Sequence, residues 1–196
     1  MLFRSARRAV RSDRAARYAA PMRIELPDPC LVVLVGPAGS GKSTFARRHF
    51  RPTEVLGSDA FRAMIADDEA DQSATSAAFS LLHAVARHRL ARGRLTVIDA
   101  TNVEPRARRP LIGLALRFEV AAVAVVFDLP ADVVRRWNTE RIARAVPADV
   151  VERHRRELRL SVDELPTEGF EAVWTLDTPD DMAAVEIVRS PRARSR

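Results

Sequence analysis

The 196-residue chain contains one cysteine and one lysine. A single thiol, Cys30, excludes an internal disulfide framework and any cysteine-rich zinc site, and it makes reducing, cytoplasmic conditions the expectation. No run approaches the roughly 20 uninterrupted apolar residues of a membrane-spanning helix, so no membrane partner is expected. The Asn-Lys-x-Asp sequence that reads guanine is also missing, which argues against a guanine-nucleotide switch. The shortage of lysine is the sharpest of these absences. Of 32 basic residues 31 are arginine, and the exception is Lys42. Everywhere else positive charge is carried on the planar guanidinium fork, so a compact ammonium at 42 marks a place where a guanidinium would not fit.

What is present is otherwise ordinary. Apolar residues make up 47% and charged residues 30%, and the length suits one domain with tails. The formal charge of +6 lives at the two ends. Residues 1–21 hold six arginines against Asp13, residues 189–196 hold four more, and the stretch between them, 22–188, carries −3. The expected organisation is a disordered basic arm over 1–21 (or an extension upstream of a start at Met22), a folded domain over 22–188, and a disordered basic tail over 189–196.

Within the domain, short Val- and Leu-rich runs alternate with helical stretches. Leu31–Val35, Glu54–Leu56, Leu95–Asp99, Glu119–Phe127 and Phe170–Leu176 read as buried strands. Helices are expected over Lys42–His49, from Asp59, over Thr75–Arg92 and over Pro105–Arg117. Three more are expected from Pro130 as a long arginine-rich helix, from Pro147 to Leu160, and over Pro179–Val188. Alternating strands and helices imply parallel βαβ units, hence an α/β/α sandwich with a parallel central sheet and helices on both faces.

The sequence Gly36-Pro37-Ala38-Gly39-Ser40-Gly41-Lys42-Ser43, followed by Thr44, matches G-x-x-x-x-G-K-[ST] at every fixed position. It lies where its mechanism requires, between a buried strand and a helix. Glycines permit the turn and leave backbone N–H groups converging on phosphate oxygens. Lys42 then reaches the β- and γ-phosphates of ATP, and Ser43 ligates Mg²⁺. Asp99, at the end of its strand, is placed to orient the Mg²⁺ shell, or is a plain turn-forming residue. Asn102 could touch substrate, but it is expected rather to cap the next helix.

Asp59 and Arg62 sit at another strand end. There Asp59 is a candidate to take a proton from an attacking hydroxyl, and Arg62, one helical turn on, to hold an anionic substrate. Ser58 or Asp59 acting as a helix cap explains the same spacing equally well. Arg141 and Arg144, at i and i+3 with Trp137 four residues earlier, suit a helical lid closing over phosphates, or a solvated basic face. The acidic run Asp67–Asp71 reads as a solvated loop. His83, His88 and His154 are not spaced as metal ligands.

The run LVVLVGPAGSGKSTFARRHFRPTEVLGSDAFR, then DDEADQSAT, AAFSLLH and LTVIDATNV, resembles the kinase domain of bacterial polynucleotide kinase-phosphatases over about residues 23–188. The resemblance implies an adenylate-kinase-like P-loop fold with a helical lid. It implies transfer of the ATP γ-phosphate to a 5′-hydroxyl of DNA or RNA. By that resemblance, Lys42 and Ser43 bind triphosphate and Mg²⁺, Asp59 is the general base, Arg62 contacts a substrate phosphate, and Arg141 and Arg144 are lid residues. Trp137 stands where the family's lid has an arginine. The phosphatase and end-sealing modules do not follow, so the expected enzyme is a stand-alone kinase. The other readings are a kinase of a small-molecule hydroxyl (sugar, nucleoside or antibiotic) and a nucleotide-binding regulatory module with weak ATPase activity.

Overall fold

The computed structural model describes residues 7–9, 22–140 and 145–191. Its central sheet has six parallel strands in the order β1 (Arg7–Ala9), β7 (Ala172–Leu176), β6 (Ala121–Phe127), β3 (Cys30–Val35), β5 (Thr96–Asp99) and β4 (Val55–Gly57). Every residue of β3 is buried, as expected for an apolar strand with neighbours on both edges and layers on both faces.

Side chains alternate along β3 and divide the core in two. Leu31, Val33 and Val35 pack with Phe61 of α2 (Ser58–Ala66), Leu82 of α3 (Thr75–Leu90), Leu111 of α4 (Pro105–Arg117) and Leu158 of α6 (Ala148–Ser161). Val32 and Leu34 pack on the other face with Phe45 of α1 (Lys42–His49).

Helices therefore lie on both faces of the sheet, as expected, and the second face carries a further layer. Beside α1 it is covered by a separate two-stranded parallel ribbon, β2 (Arg23–Asp28) with β8 (Glu186–Pro191). β2 alternates in a clean period of two, with Ile24 and Leu26 fully buried against Val32 and Leu34. The helix expected over Pro179–Val188 stops early. α7 spans Pro179–Ala184, Val185 turns to an extended conformation, and the β-branched Ile187 and Val188 continue as strand.

Both ends of the domain are therefore corrected. Residues 189–191, expected in the tail, complete β8. Arg189 donates from Nη1 and Nη2 to the two carboxylate oxygens of Glu54, each at 2.8 Å. In the arm, Arg7–Ala9 pairs alongside β7 rather than standing apart from the sheet. The helix expected from Pro130 is also shorter, as α5 spans Ala131–Thr139.

The Arg189 hydrogen bonds hold the Glu54 carboxyl below its usual range. Because the folded state favours the charged form, this pair stabilises fully above about pH 4.5 and is lost as pH falls through the depressed value. Arg189→Leu should cost about 1–3 kcal/mol near neutral pH by leaving Glu54 with the Arg51 N–H but no guanidinium partner. In thermal melts the gap from wild type should narrow as pH drops below about 4.

Chain order places the site. From β3 the chain runs to β4 and β5 on one side, then to β6 and β7 on the other. The strand order therefore reverses at β3, and ligands of open parallel sheets bind in the crevice beyond the carboxyl end of that strand.

Candidate active site

Gly36 to Gly41 form the turn from β3 into α1. Gly39 and Gly41 take φ of +80° and +85°, the left-handed region that glycine adopts without cost. Packing confines them as well. A Cβ on Gly39 would lie 2.8 Å from Asn138 Cβ, and one on Gly41 would lie 2.7 Å from Met182 Cε and 3.1 Å from Trp137 Cζ3. A Cβ on Gly36 would lie 2.9 Å from Phe127 Cβ. One side of the loop is thus pressed against α5, α7 and β6, and Ala38 packs into the same apolar cluster as Trp137 and Met182. At the N-terminus of α1 there is no acidic residue in the first turn and no side-chain cap, so its partial positive charge is left for an anion.

Lys42 is buried and folds back over the loop. Its Nζ donates to the carbonyls of Gly36 at 2.8 Å and Pro37 at 2.7 Å, and to Ser40 Oγ at 3.4 Å. A point ammonium satisfies carbonyls converging at such distances, whereas a planar guanidinium is too wide. Lys42→Arg should therefore lower turnover by about tenfold or more despite keeping the charge, which steady-state kinetics would show. Thr44 stands apart, exposed at the helix surface, where its hydroxyl accepts from Arg47 at 3.3 Å.

Asp99 ends β5 directly opposite Gly57 of β4. Burial pushes its carboxyl up from the usual range, and the Asp59 carboxylate pushes the same way; the Lys42 ammonium and a hydrogen bond from Ser43 oppose them. Lys42, Ser43 and Asp59 therefore all act on Asp99 at the mouth of the sheet. Asp59 lies in the first turn of α2 and pairs with Arg62 one turn on. Arg62 also donates from Nε to the Glu69 carbonyl at 2.7 Å, which fixes the guanidinium between the helix and the acidic loop. The cap of α2 is Gly57, with no side-chain hydrogen bond, so neither Ser58 nor Asp59 is the cap that the spacing allowed.

Asn102 does not cap α4 either, whose cap is Glu104. It is buried at φ +48° and donates from Nδ2 to the Leu34 carbonyl at 2.8 Å. With Gly36 N donating to Thr101 O at 2.9 Å, it ties the segment after Asp99 to the start of the glycine loop. Arg108 braces the same segment from below. It is fully buried, donates to the carbonyls of Asn102 at 2.9 Å and Val103 at 2.8 Å, and pairs bidentately with Glu168. No pattern in the sequence marked Arg108 among 31 arginines.

His154 of α6 is partly buried; burial first, then the Lys42 charge, lowers its pKa to about 4. Arg141 and Arg144 lie outside the described residues. Asn138 donates from Nδ2 to Val146 O at 2.8 Å and accepts from Val146 N at 3.1 Å.

The family model of the AAA domain matches residues 31–165, well over half of the chain. The chain belongs to the AAA domain family. Among solved structures, this AAA domain protein is similar to a chain of the Pnkp1/Rnl/Hen1 RNA repair complex, at 26% identity and TM-score 0.61. The match covers 70% of this chain and 46% of that one, so it spans about half of that relative's length. A gluconokinase from Sinorhizobium meliloti is similar at 18% identity and TM-score 0.51, over 80% of this chain and 87% of that one. The PezAT toxin-antitoxin system of Streptococcus pneumoniae contains a similar chain at 15% identity and TM-score 0.57, over 83% and 71%. The last two show the fold alone. No curated protein sequence matches the chain. The AAA domain protein has a parallel α/β fold with a P-loop sequence between β3 and α1. Among the described residues no helix is long and apolar enough to cross a membrane.

Proposed function

We propose that the protein transfers the γ-phosphoryl group of ATP to the 5′-hydroxyl of a polynucleotide. The observation that carries this reading is the Asp59–Arg62 pair on the strand end next to Asp99, electrostatically in reach of the glycine loop. In this reading the loop amides form the donor site, and the Asp59 carboxylate with the Arg62 guanidinium forms the acceptor site. The 26% identity to a chain of an RNA repair complex supports a polynucleotide acceptor over a sugar.

The loop residues fit a triphosphate, because the glycines cannot carry a Cβ without collision and the helix N-terminus has no anion of its own. Ser43 fits the oxygen donor that such a loop offers Mg²⁺, and Asp99, hydrogen bonded to Ser43, is placed to orient the Mg²⁺ shell. When bound, Mg²⁺ neutralises charge on the β- and γ-oxygens. Lys42 releases the carbonyls of Gly36 and Pro37 to meet the phosphates. Asp59 accepts the proton of the 5′-hydroxyl while that oxygen forms its bond to Pγ, the bond to the β–γ bridging oxygen breaks, and ADP leaves. Arg62 orients the acceptor's first internucleotide phosphate and holds Asp59 in place. Arg141 and Arg144 contact the transferring phosphoryl group, with Trp137 beside the loop.

The test is transfer of labelled γ-phosphate to 5′-hydroxyl DNA and RNA oligonucleotides, run beside gluconate, nucleosides and an aminoglycoside. Label on an oligonucleotide 5′ end is the expected result. Label on a small molecule alone would replace the acceptor and keep the kinase; label on none would leave a nucleotide-binding module.

A further inference from the structure

The end of the sheet remote from the glycine loop holds a second charged cavity. Its volume is about 430 Å³, and it lies where the chain enters β3, β4 and β5, so the length of a strand separates it from the site above. At about 3.3 Å per residue, the six residues of β3 set the two roughly 20 Å apart. Four arginines line it, Arg51, Arg89, Arg94 and Arg189, against two carboxylates, Glu54 and Asp28.

These charges are not mutually satisfied. Glu54 is engaged bidentately by Arg189. Arg89 spends Nε on Thr96 Oγ1 at 3.3 Å and one Nη on the Leu95 carbonyl at 2.8 Å, with donors to spare. Among the described residues Arg51 and Arg94 form no ion pair, and both are exposed at the rim. Burial pushes the Arg89 guanidinium below its ordinary range; the Glu54 carboxylate opposes this, and the Arg94 charge adds to it more weakly. The cavity walls thus carry an excess of two positive charges inside a domain whose 22–188 segment is net negative.

We infer that this cavity is a second anion-binding site, taking a phosphate-bearing ligand distinct from the nucleotide at the glycine loop. Guanidinium forks match phosphate oxygens in pairs, and an excess of two charges matches one phosphate dianion or two phosphodiesters. The lining includes one large aliphatic side chain, Leu95, so the site recognises charge rather than an apolar body. The phosphates are those of a free polyphosphate or of a polynucleotide backbone running past the domain. This inference stands whether or not the acceptor proposed above is correct.

The test isolates this cavity from the glycine loop. Lys42→Met removes the loop's cation, and inorganic pyrophosphate is titrated into that full-length protein by calorimetry. One pyrophosphate should still bind. Adding Arg51→Ser and Arg94→Ser, both exposed, should weaken it by about 100-fold, since each charge-assisted contact is worth about tenfold or more. An unchanged thermal melt shows that the variant is folded. No binding to the Lys42→Met protein, or equal binding after the two serine substitutions, overturns the inference. Competition with a 5′-hydroxyl oligonucleotide then identifies the source. Displacement of pyrophosphate, steeply weakened by salt, marks a polynucleotide, and failure to displace it marks a free polyphosphate.

Discussion

Asp59→Asn should lower phosphoryl transfer by about 10²–10⁴-fold while ATP still binds. The substitution keeps the size of the side chain and an oxygen for the Arg62 guanidinium, so the α2 turn should hold its shape. What it removes is the capacity to take a proton. The structure narrows the competing explanations. Gly57, not residue 59, occupies the cap of α2, so loss of a cap is not available as a cause. A carboxylate in the first turn favours the helix dipole by only about 0.3–1 kcal/mol, an effect on stability and not on kcat. Steady-state kinetics on an oligonucleotide, with ATP binding measured separately, decides the matter. Wild-type turnover in Asp59→Asn would remove Asp59 from the reaction. Loss of ATP binding together with turnover would make it a residue that holds the site's shape.

Arg108→Met should cost about 3–5 kcal/mol of stability, the range seen when one member of a buried ion pair is removed. The guanidinium is fully buried, and its partner Glu168 is nearly so. Removing it strands that carboxylate and frees the carbonyls of Asn102 and Val103 from their donor. For a domain of total stability about 5–15 kcal/mol this is a large fraction. Urea denaturation should show a lower midpoint with an unchanged slope. Because Arg108 holds the segment that ties Asp99 to the glycine loop, kcat at permissive temperature should fall as well. Glu168→Gln, which keeps an acceptor for the guanidinium, should lose less than Arg108→Met. Equal melting of Arg108→Met and wild type would mean that water replaces the side chain without cost.

Much of the candidate site is local in sequence, and that portion could be proposed from the sequence. The glycine loop, its lysine and its serine are contiguous because one strand–turn–helix unit makes the whole phosphate cradle. Asp59 and Asp99 were readable as strand-end carboxylates, since parallel strands deliver their last residues to one edge. Arg62 followed from the helical repeat. Arg108 was not readable, because its meaning depends on Glu168, sixty residues away, and on carbonyls that carry no side-chain signature. Asn102 was misread as a cap because a polar residue three before a proline-started helix fits that role locally. Its bond to Leu34 spans 68 positions.

The same division holds for the fold. The alternation of apolar runs and helices determined a parallel α/β sheet with the nucleotide loop after its first central strand, because strand burial and βαβ handedness leave few alternatives. The lone lysine likewise marked its own position, since a side chain used once in 32 basic residues has a specific requirement. The covering of the second face was decided in three dimensions. β2 and β8 are short and separated by more than 150 positions, and among the described residues they pair as strands with each other. An isolated strand has no stability of its own, so Ile187 and Val188 read as the end of a helix until Ile24 and Leu26 lie beside them. The four-arginine cavity at the far end has the same origin. Its members come from a turn, a helix end, a strand entry and β8, and only the closed sheet brings their like charges together.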